Sequence, residues 1–179
     1  MNERPLVTLT VCVRDGASWV DDCMKALTAQ TYRPLEIIAV DDGSSDGSKE
    51  RLLAWEDGDG ELPVRILIQD PKGLSAGRKF AVDEARGEWI AITDIDVRPE
   101  PDWLETMVRE IKPIAEGEKV VAVTGRTVFG HAGDIVSRVR SIEIAQKYKA
   151  RPRKTSLANG PCSMFHRASL LAIGGFNPE

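Results

Sequence analysis

Residues 88–100 read Glu-Trp-Ile-Ala-Ile-Thr-Asp-Ile-Asp-Val-Arg-Pro-Glu. Gly87 punctuates the stretch on its left. Trp89, Ile90, Ala91 and Ile92 form an apolar run of buried-strand type, and the run ends in two carboxylates. Charge therefore collects at the strand's carboxyl end, which in open α/β sheets is the edge where ligands bind. Alternation along an extended chain puts Asp94 and Asp96 on one side, one residue apart, so the pair is placed to meet one cation. Hard carboxylate oxygens suit Mg²⁺ or Mn²⁺, ions that take one or two protein carboxylates and leave their other positions to water and substrate phosphates. Alone, Asp-x-Asp is a weak sign, because acidic residues also gather at strand ends and turns for solvation and capping. Its weight comes from what surrounds it.

Upstream, the same design repeats. Leu6 to Val13 is apolar and β-branched, a buried first strand that stops at Arg14-Asp15-Gly16. Ser18 reads as an N-cap, with Asp21 three residues on, for a helix carrying Val20, Cys23, Met24 and Leu27. Leu35 to Val40 is a second strand that delivers Asp41-Asp42 to its end, and Gly43-Ser44-Ser45-Asp46-Gly47-Ser48 makes the turn into a helix through Leu52, Leu53 and Trp55. Val64 to Ile68 reads as a third strand and Asp70 to Ser75 as a loop; Ala76 to Arg86 reads as a helix closed by Gly87 as its C′ residue. Strand and helix alternating in this way predict an α/β fold with a doubly wound, mostly parallel sheet flanked by helices. Right-handed crossovers then bring the loops after Val13, Val40 and Ile92 to one rim, as one cleft.

Downstream, Pro99 and Pro101 open a helix with Leu104, Met107, Val108 and Ile111 at helical spacing, and Pro113 falls near its end. Val120 to Val128 reads as a strand with Gly125 as a bulge or close-approach site. Asp134 is placed to cap a helix whose Ile135, Val136, Val139 and Ile142 read as core. Lys147, Lys149, Arg151, Arg153 and Lys154 form a basic segment, read as a solvated loop, with contact to a diphosphate, an anionic acceptor or a membrane surface as the functional alternative. A turn at Asn159-Gly160-Pro161, a short apolar strand and a helical turn at Ser169 to Ile173, ended by Gly174-Gly175, complete the chain.

Composition bounds the partners. At 179 residues, 42% hydrophobic and 29% charged, the chain is of the size and balance of one globular domain, 1–179. A net charge of -4 argues against a nucleic-acid binder. No apolar run reaches membrane-spanning length and Met1 to Pro5 is not a secretory signal, so a soluble, cytoplasmic chain is expected, at most seated on the cytoplasmic face of a membrane. Cys12, Cys23 and Cys162 are odd in number and lack Cys-x-x-Cys spacing, which speaks against a disulfide framework or a zinc site; Cys12 and Cys23 read as small core residues. His131 and His166 have no metal-ligand spacing and read as surface or packing residues.

Together these segments, Val-Thr-Leu-Thr-Val-Cys-Val-Arg-Asp from residue 7, Gln-Thr-Tyr-Arg-Pro-Leu-Glu-Ile-Ile-Ala-Val-Asp-Asp-Gly-Ser-Ser-Asp-Gly-Ser from 30, Gly-Leu-Ser-Ala-Gly-Arg-Lys from 73 and Ala-Arg-Gly-Glu-Trp-Ile-Ala-Ile-Thr-Asp-Ile-Asp from 85, resemble family-2 glycosyltransferases of the GT-A fold. The likeness runs from Val7 to Phe176. It implies a Rossmann-like GT-A sheet, a nucleotide-sugar donor (UDP-, GDP- or dTDP-linked), Mn²⁺ or Mg²⁺, and a glycan or lipid-linked acceptor. It implies nucleotide-sugar binding at Val13, Asp15, Asp41, Asp42, Arg78 and Asp94, with Asp41 meeting a uracil-type imide and Arg78 near the base or phosphates. It makes Asp94 and Asp96 the metal ligands. A carboxylate accepts from an imide N–H or ribose hydroxyls, and a cation bridges to a departing diphosphate, so each assignment has a physical rationale.

The chain departs from the family at two places. Cys12-Val13-Arg14-Asp15 stands where Pro-Thr-x-Asn is usual, and Lys79 replaces an asparagine; both leave the nucleotide open. In relatives an acidic pair after Gly-Gly-Phe supplies the general base, whereas this chain reaches only Gly174-Gly175-Phe176-Asn177-Pro178-Glu179 and reads as a truncated piece, so no catalytic residue is assigned. The implied reaction is an inverting transfer to an acceptor hydroxyl. Two other readings stand beside it: a non-catalytic nucleotide-sugar-binding module, and a nucleotidyltransferase. The latter needs a glycine-rich basic triphosphate loop, for which Arg14-Asp15-Gly16 is too sparse. A dinucleotide enzyme is disfavoured because no Gly-x-Gly-x-x-Gly follows the first strand.

Overall fold

The computed structural model describes residues 4–56, 62–111, 120–128, 135–149, 152, 158 and 160–177. Its elements in chain order are β1 (Val7–Val13), α1 (Ala17–Thr28), β2 (Leu35–Asp42), α2 (Ser48–Leu53), β3 (Val64–Gln69), α3 (Leu74–Glu84), β4 (Trp89–Asp94), α4 (Trp103–Arg109), β5 (Ala122–Thr124), α5 (Ile135–Lys149), β6 (Ser163–His166) and α6 (Arg167–Ala172). Six strands form one sheet in the order β3-β2-β1-β4-β6-β5. The first four are parallel; β6 runs antiparallel to both β4 and β5. From β1 the chain winds outward through β2 and β3, then returns to place β4 on β1's other flank. The gap between the carboxyl ends of β1 and β4 is therefore a topological switch point, where α/β sheets bind ligands.

Alternation along the strands divides the core. Val7, Leu9, Val11 and Val13 of β1 face Val20, Cys23, Met24 and Leu27 of α1 and Leu104 and Met107 of α4. Ile38, Val40, Ile90 and Ile92 face Ala81 and Val82 of α3 and Leu170 of α6. On β1 the alternate positions Thr8 and Thr10 are buried polar groups with partners: Thr8 Oγ1 donates to Glu36 Oε1 at 2.6 Å, and Thr10 Oγ1 donates to the Ala91 carbonyl at 3.2 Å.

Several local expectations are corrected. Ser18 lies inside α1 and caps nothing; Gly16 holds the cap position, and the Ala17 N–H donates instead to Asp46 Oδ2 at 2.9 Å, a cap supplied from another loop. The helix expected from Ala76 starts at Leu74 and stops at Glu84, with extended backbone at Ala85, so Gly87 is not its C′ residue. A Cβ on Gly87 would lie 2.5 Å from the Thr8 amide nitrogen, which accounts for the glycine by close approach to β1. Pro99 and Pro101 precede α4 by a turn rather than opening it. The strand expected over Val120 to Val128 is only Ala122–Thr124, and Gly125 beside it is the anticipated close-approach site, where a side chain would run into Cys162 Sγ.

The largest correction concerns α5. Ile135, Val136, Val139 and Ile142 are not core; they are 79%, 77%, 52% and 59% exposed. The half-buried face of that helix carries Ser141, Ile144, Ala145 and Tyr148 instead. Pro113, His131, Asp134, Arg151, Arg153, Lys154, Asn159, Pro178 and Glu179 fall outside the described residues.

Candidate functional site

At the end of β1 the chain turns through Asp15, whose φ of 51° is the left-handed conformation uncommon outside glycine. Five hydrogen bonds, one of them from Ser45 Oγ to Asp15 Oδ1 at 3.2 Å, hold that turn against the loop after β2 and the start of α2. The Asp15 N–H donates to Ser44 Oγ at 3.0 Å, and Asp15 Oδ1 accepts from the Ser45 N–H at 2.8 Å. The Gly16 N–H donates to Ser48 Oγ at 2.9 Å, and the Ala17 N–H to Asp46. Asp46 Oδ1 accepts in turn from Ser48 Oγ at 2.5 Å and from the Ser48 N–H at 3.0 Å. These bonds, led by the one from Ala17, hold the Asp46 carboxyl below its ordinary value of 3.8. Asp15 is thus a clamp between the two loops through Ser44 and Ser45, while Ser48 and Asp46 hold its neighbours Gly16 and Ala17. The sequence marks Ser44, Ser45, Asp46 and Ser48 only as turn formers.

Asp41 and Asp42 are the last residues of β2, and both are buried. Their environments differ. Asp42 is satisfied on both oxygens: Oδ1 accepts from Gln69 Nε2 at 2.6 Å and the Lys72 N–H at 2.8 Å, and Oδ2 from the Gly73 N–H at 2.9 Å. Arg14 approaches Oδ2 at 3.9 Å. Burial pushes the Asp42 carboxyl up, but these donors and the guanidinium outweigh it and leave the group below 3.8. Its work is to fasten the loop before α3. Asp41, paired in register with Val13, spends only Oδ2, which accepts from the Ser44 N–H at 3.2 Å. Asp41 Oδ1 is buried and has no hydrogen-bond partner among the described residues. Because an orphaned buried acceptor costs roughly 1–3 kcal/mol, such an atom calls for a partner that none of the described residues supplies.

Across the switch point, Asp94 closes β4 opposite Cys12. Arg78 of α3 reaches it: Nη2 donates to Asp94 Oδ1 at 2.8 Å, with side chains 17% and 35% exposed. The Phe176 ring lies 6.0 Å from the Arg78 guanidinium carbon, a cation–π contact from the segment after α6 that sequence reading does not signal. Lys79 ion-pairs at 2.8 Å with Asp83 one helical turn on, so this departure from the family pattern is spent on a surface pair. Burial pushes the Cys12 thiol up to about 12, with Arg78 opposing, so it stays protonated at neutral pH and is no nucleophile.

Asp96 is placed differently from expectation. β4 ends at Asp94, and the Val97 N–H donates to the Asp94 carbonyl at 3.0 Å, so Asp96 sits in a turn to which strand alternation does not apply. It lines a cavity of about 650 Å³ with Arg98, Trp103, Arg126, Pro161 and Cys162, and neither Asp41, Arg78 nor Asp94 is among the lining residues. The Trp103 indole N–H points to Cys162 Sγ at 3.1 Å in its wall. Among the described residues no group of three or more His, Cys, Asp or Glu side chains could enclose a metal ion. The hard donors on offer are the remaining oxygen of Asp94 and the exposed carboxylate of Asp96. Such a set fits Mg²⁺ or Mn²⁺ completed by substrate phosphates, and does not fit an all-protein cage. A second cavity of about 860 Å³ lies between β3 and α3, lined by Gln69 and Lys72, which bond Asp42, and by the Lys79–Asp83 pair.

Residues 8–174 match the family model described as Glycosyl transferase family 2. The chain is 34% identical over 128 residues to the glycosyltransferase AglE of Haloferax volcanii, covering 70% of this chain and 40% of that protein. The mannosyltransferase PcManGT from Pyrobaculum calidifontis, solved in complex with GDP-Man and Mn²⁺, superposes with a TM-score of 0.75 at 23% identity over 99% of this chain and 49% of its own. S. aureus TarS 1-349 in complex with UDP-GlcNAc superposes with a TM-score of 0.61 at 16% identity, over 93% and 47% of the two chains. At those identities the structural likeness shows the fold alone: the α/β sheet expected from the alternation of strands and helices, in the Rossmann-like GT-A arrangement that the family resemblance implies. The chain spans half or less of the length of these proteins.

Proposed function

Because the chain belongs to glycosyl transferase family 2, we propose that its site binds a nucleotide-diphosphate sugar and, in the whole protein, passes the sugar to an acceptor hydroxyl with inversion. The observation that carries this reading is the buried Oδ1 of Asp41, without a partner among the described residues, at the carboxyl end of β2 in register with Val13. A base imide N–H is a group that such an oxygen would accept from, and the Asp15–Ser44–Ser45 clamp fixes the loops on either side. Arg78 supplies the cation nearest the diphosphate, and Asp94 accepts from ribose hydroxyls or holds the metal with Asp96. When bound, Mn²⁺ or Mg²⁺ offsets the charge developing on the leaving diphosphate. PcManGT holds Mn²⁺ and GDP-Man, and TarS UDP-GlcNAc, which supports a cation and leaves the nucleotide to be chosen by experiment.

The reaction that follows is a displacement. The acceptor hydroxyl gives its proton to a carboxylate base, its oxygen attacks the anomeric carbon from the face opposite the nucleotide, and the C–O bond to the diphosphate breaks. The cavity beside Asp96, walled by Trp103 and Arg126, is where we place the sugar and the acceptor, a glycan or lipid-linked hydroxyl reached by a protein seated peripherally on a membrane. A thermal-shift panel of UDP-, GDP- and dTDP-sugars with and without Mn²⁺ tests the reading. One nucleotide class raises the melting temperature, more so with metal, because a ligand bound only by the folded state stabilises it. No shift with any nucleotide overturns it.

A further inference from the structure

We propose that Arg98 is the positioning residue of Asp96: it fixes the turn after β4 so that the Asp96 carboxylate is already set when a divalent cation arrives. The Val97 N–H donates to the Asp94 carbonyl at 3.0 Å and closes a turn from Asp94 to Val97 with Asp96 inside it. Such a turn leaves its outer carbonyls to water or to a side chain. Here one nitrogen takes two of them: Arg98 Nη1 donates to the Ile95 carbonyl at 2.9 Å and to the Val97 carbonyl at 3.0 Å. These carbonyls stand immediately before Asp96 and one residue after it, so the backbone that carries the carboxylate is pinned on both sides by charge-assisted bonds.

The same guanidinium ties the turn to α1. Nη2 donates to the Trp19 carbonyl at 3.4 Å, the guanidinium carbon lies 5.6 Å from the centre of the Trp19 ring, and Asp22 approaches at 4.0 Å. Asp22 is 71% exposed, so that ion pair adds little and the main-chain bonds carry the anchor. Ile95 packs beside Gly16, 3.6 Å from where a Cβ would stand, and steadies the turn from the β1 side. Asp96 itself has no hydrogen bond or ion pair among the described residues, although it lines the cavity of about 650 Å³, so its backbone decides where the carboxylate stands. Arg98 lines the same cavity, yet its donors go to main-chain carbonyls. The two arginines therefore act in opposite directions. Arg78 bonds its carboxylate and competes with a metal for it, whereas Arg98 bonds the backbone and leaves its carboxylate open. Partners that orient a metal ligand in this way typically contribute tenfold or more to metal affinity. The inference rests on the proposed function only in taking Asp96 as a ligand of Mn²⁺ or Mg²⁺.

The test titrates Mn²⁺ alone into the 179-residue chain, followed by the paramagnetic resonance of the free ion. Arg98→Met, which keeps the aliphatic stem and removes the donors, binds Mn²⁺ about tenfold more weakly than the parent. Asp96→Asn weakens it as well, and the double variant binds no more weakly than Asp96→Asn, because Arg98 acts through that carboxylate. Additive losses overturn the inference. So does Mn²⁺ held equally or more tightly by Arg98→Met, the result expected of a guanidinium that acts by its charge alone. A second measurement reads the turn itself: the Val97 N–H of the ligand-free parent is protected from hydrogen exchange, and an unprotected amide overturns the inference with no variant needed. In Arg98→Met that amide exchanges about tenfold faster while the Gly16 N–H, bonded to Ser48, exchanges as before, which separates a loosened turn from a lost fold. Unchanged Val97 exchange overturns the inference, as does a parent chain that binds no Mn²⁺. Mn²⁺ results as described in a chain that binds no nucleotide keep this inference and overturn the proposed function.

Discussion

Arg78 Nη2 lies 2.8 Å from Asp94 Oδ1, so the carboxylate best placed to hold a cation at the end of β4 is already neutralised by a guanidinium from α3. A metal ion approaching without a nucleotide competes with Arg78, whereas a diphosphate arriving with it offers that guanidinium another partner. On the proposed function the prediction is that binding of the two is coupled, each strengthening the other by linkage.

Replacing Arg78 separates the two events. Arg78→Gln is expected to bind Mn²⁺ alone about tenfold more tightly than the parent and nucleoside diphosphate about tenfold more weakly, read by calorimetry with each ligand singly. Equal Mn²⁺ affinity in both proteins would remove Arg78 from the metal's path.

Asp42 carries a fold-level role. Its carboxylate sits below 3.8 in the folded chain because three donors and Arg14 favour the charged form against burial. A depressed folded value means stability fully present above the unfolded carboxylate value and lost as pH falls through the lower, folded one. Asp42→Asn is expected to cost about 1–3 kcal/mol in urea unfolding near neutrality. The difference from the parent should shrink as pH drops below about 4. A difference constant across acid pH would contradict the assignment.

Gly87 leaves no room for a side chain: a Cβ would lie 2.5 Å from the Thr8 nitrogen and 2.6 Å from its Oγ1, which accepts from the Gly87 N–H at 2.9 Å. Gly87→Ala is expected to destabilise by about 1–3 kcal/mol through displacement of β1 from this contact, measured as a lower urea midpoint at unchanged slope. An unchanged midpoint would place the constraint elsewhere.

How much of this was legible in the sequence differs by element. The apolar runs from Leu6, Leu35, Val64 and Trp89 give four strands, and the two that end in Asp41-Asp42 and in Asp94 give the edge where charge collects; β2 and β4, buried on both faces, write themselves as continuous runs. The family likeness reaches further, to Arg78, which no periodicity marks. Local rules put the cap of α1 at Ser18 because they see only local partners, whereas Asp46 lies 29 residues from Ala17. The four-residue β6 has no signature that would place it antiparallel beside β4. On α5 the stripe was legible and its direction was not, since spacing shows that apolar residues share a face without showing what that face meets.

Asp41 Oδ1, buried and without a partner among the described residues, is the atom proposed to receive the base of the donor nucleotide. Calorimetry of the parent chain and Asp41→Asn with the nucleoside diphosphate that the thermal panel selects, each without metal, tests it most directly. Asparagine keeps the volume and the acceptor for Ser44 while removing the charge, and the account predicts that nucleotide affinity falls by about tenfold to hundredfold with the melting temperature of the free protein little changed. Affinity equal to that of the parent would contradict it.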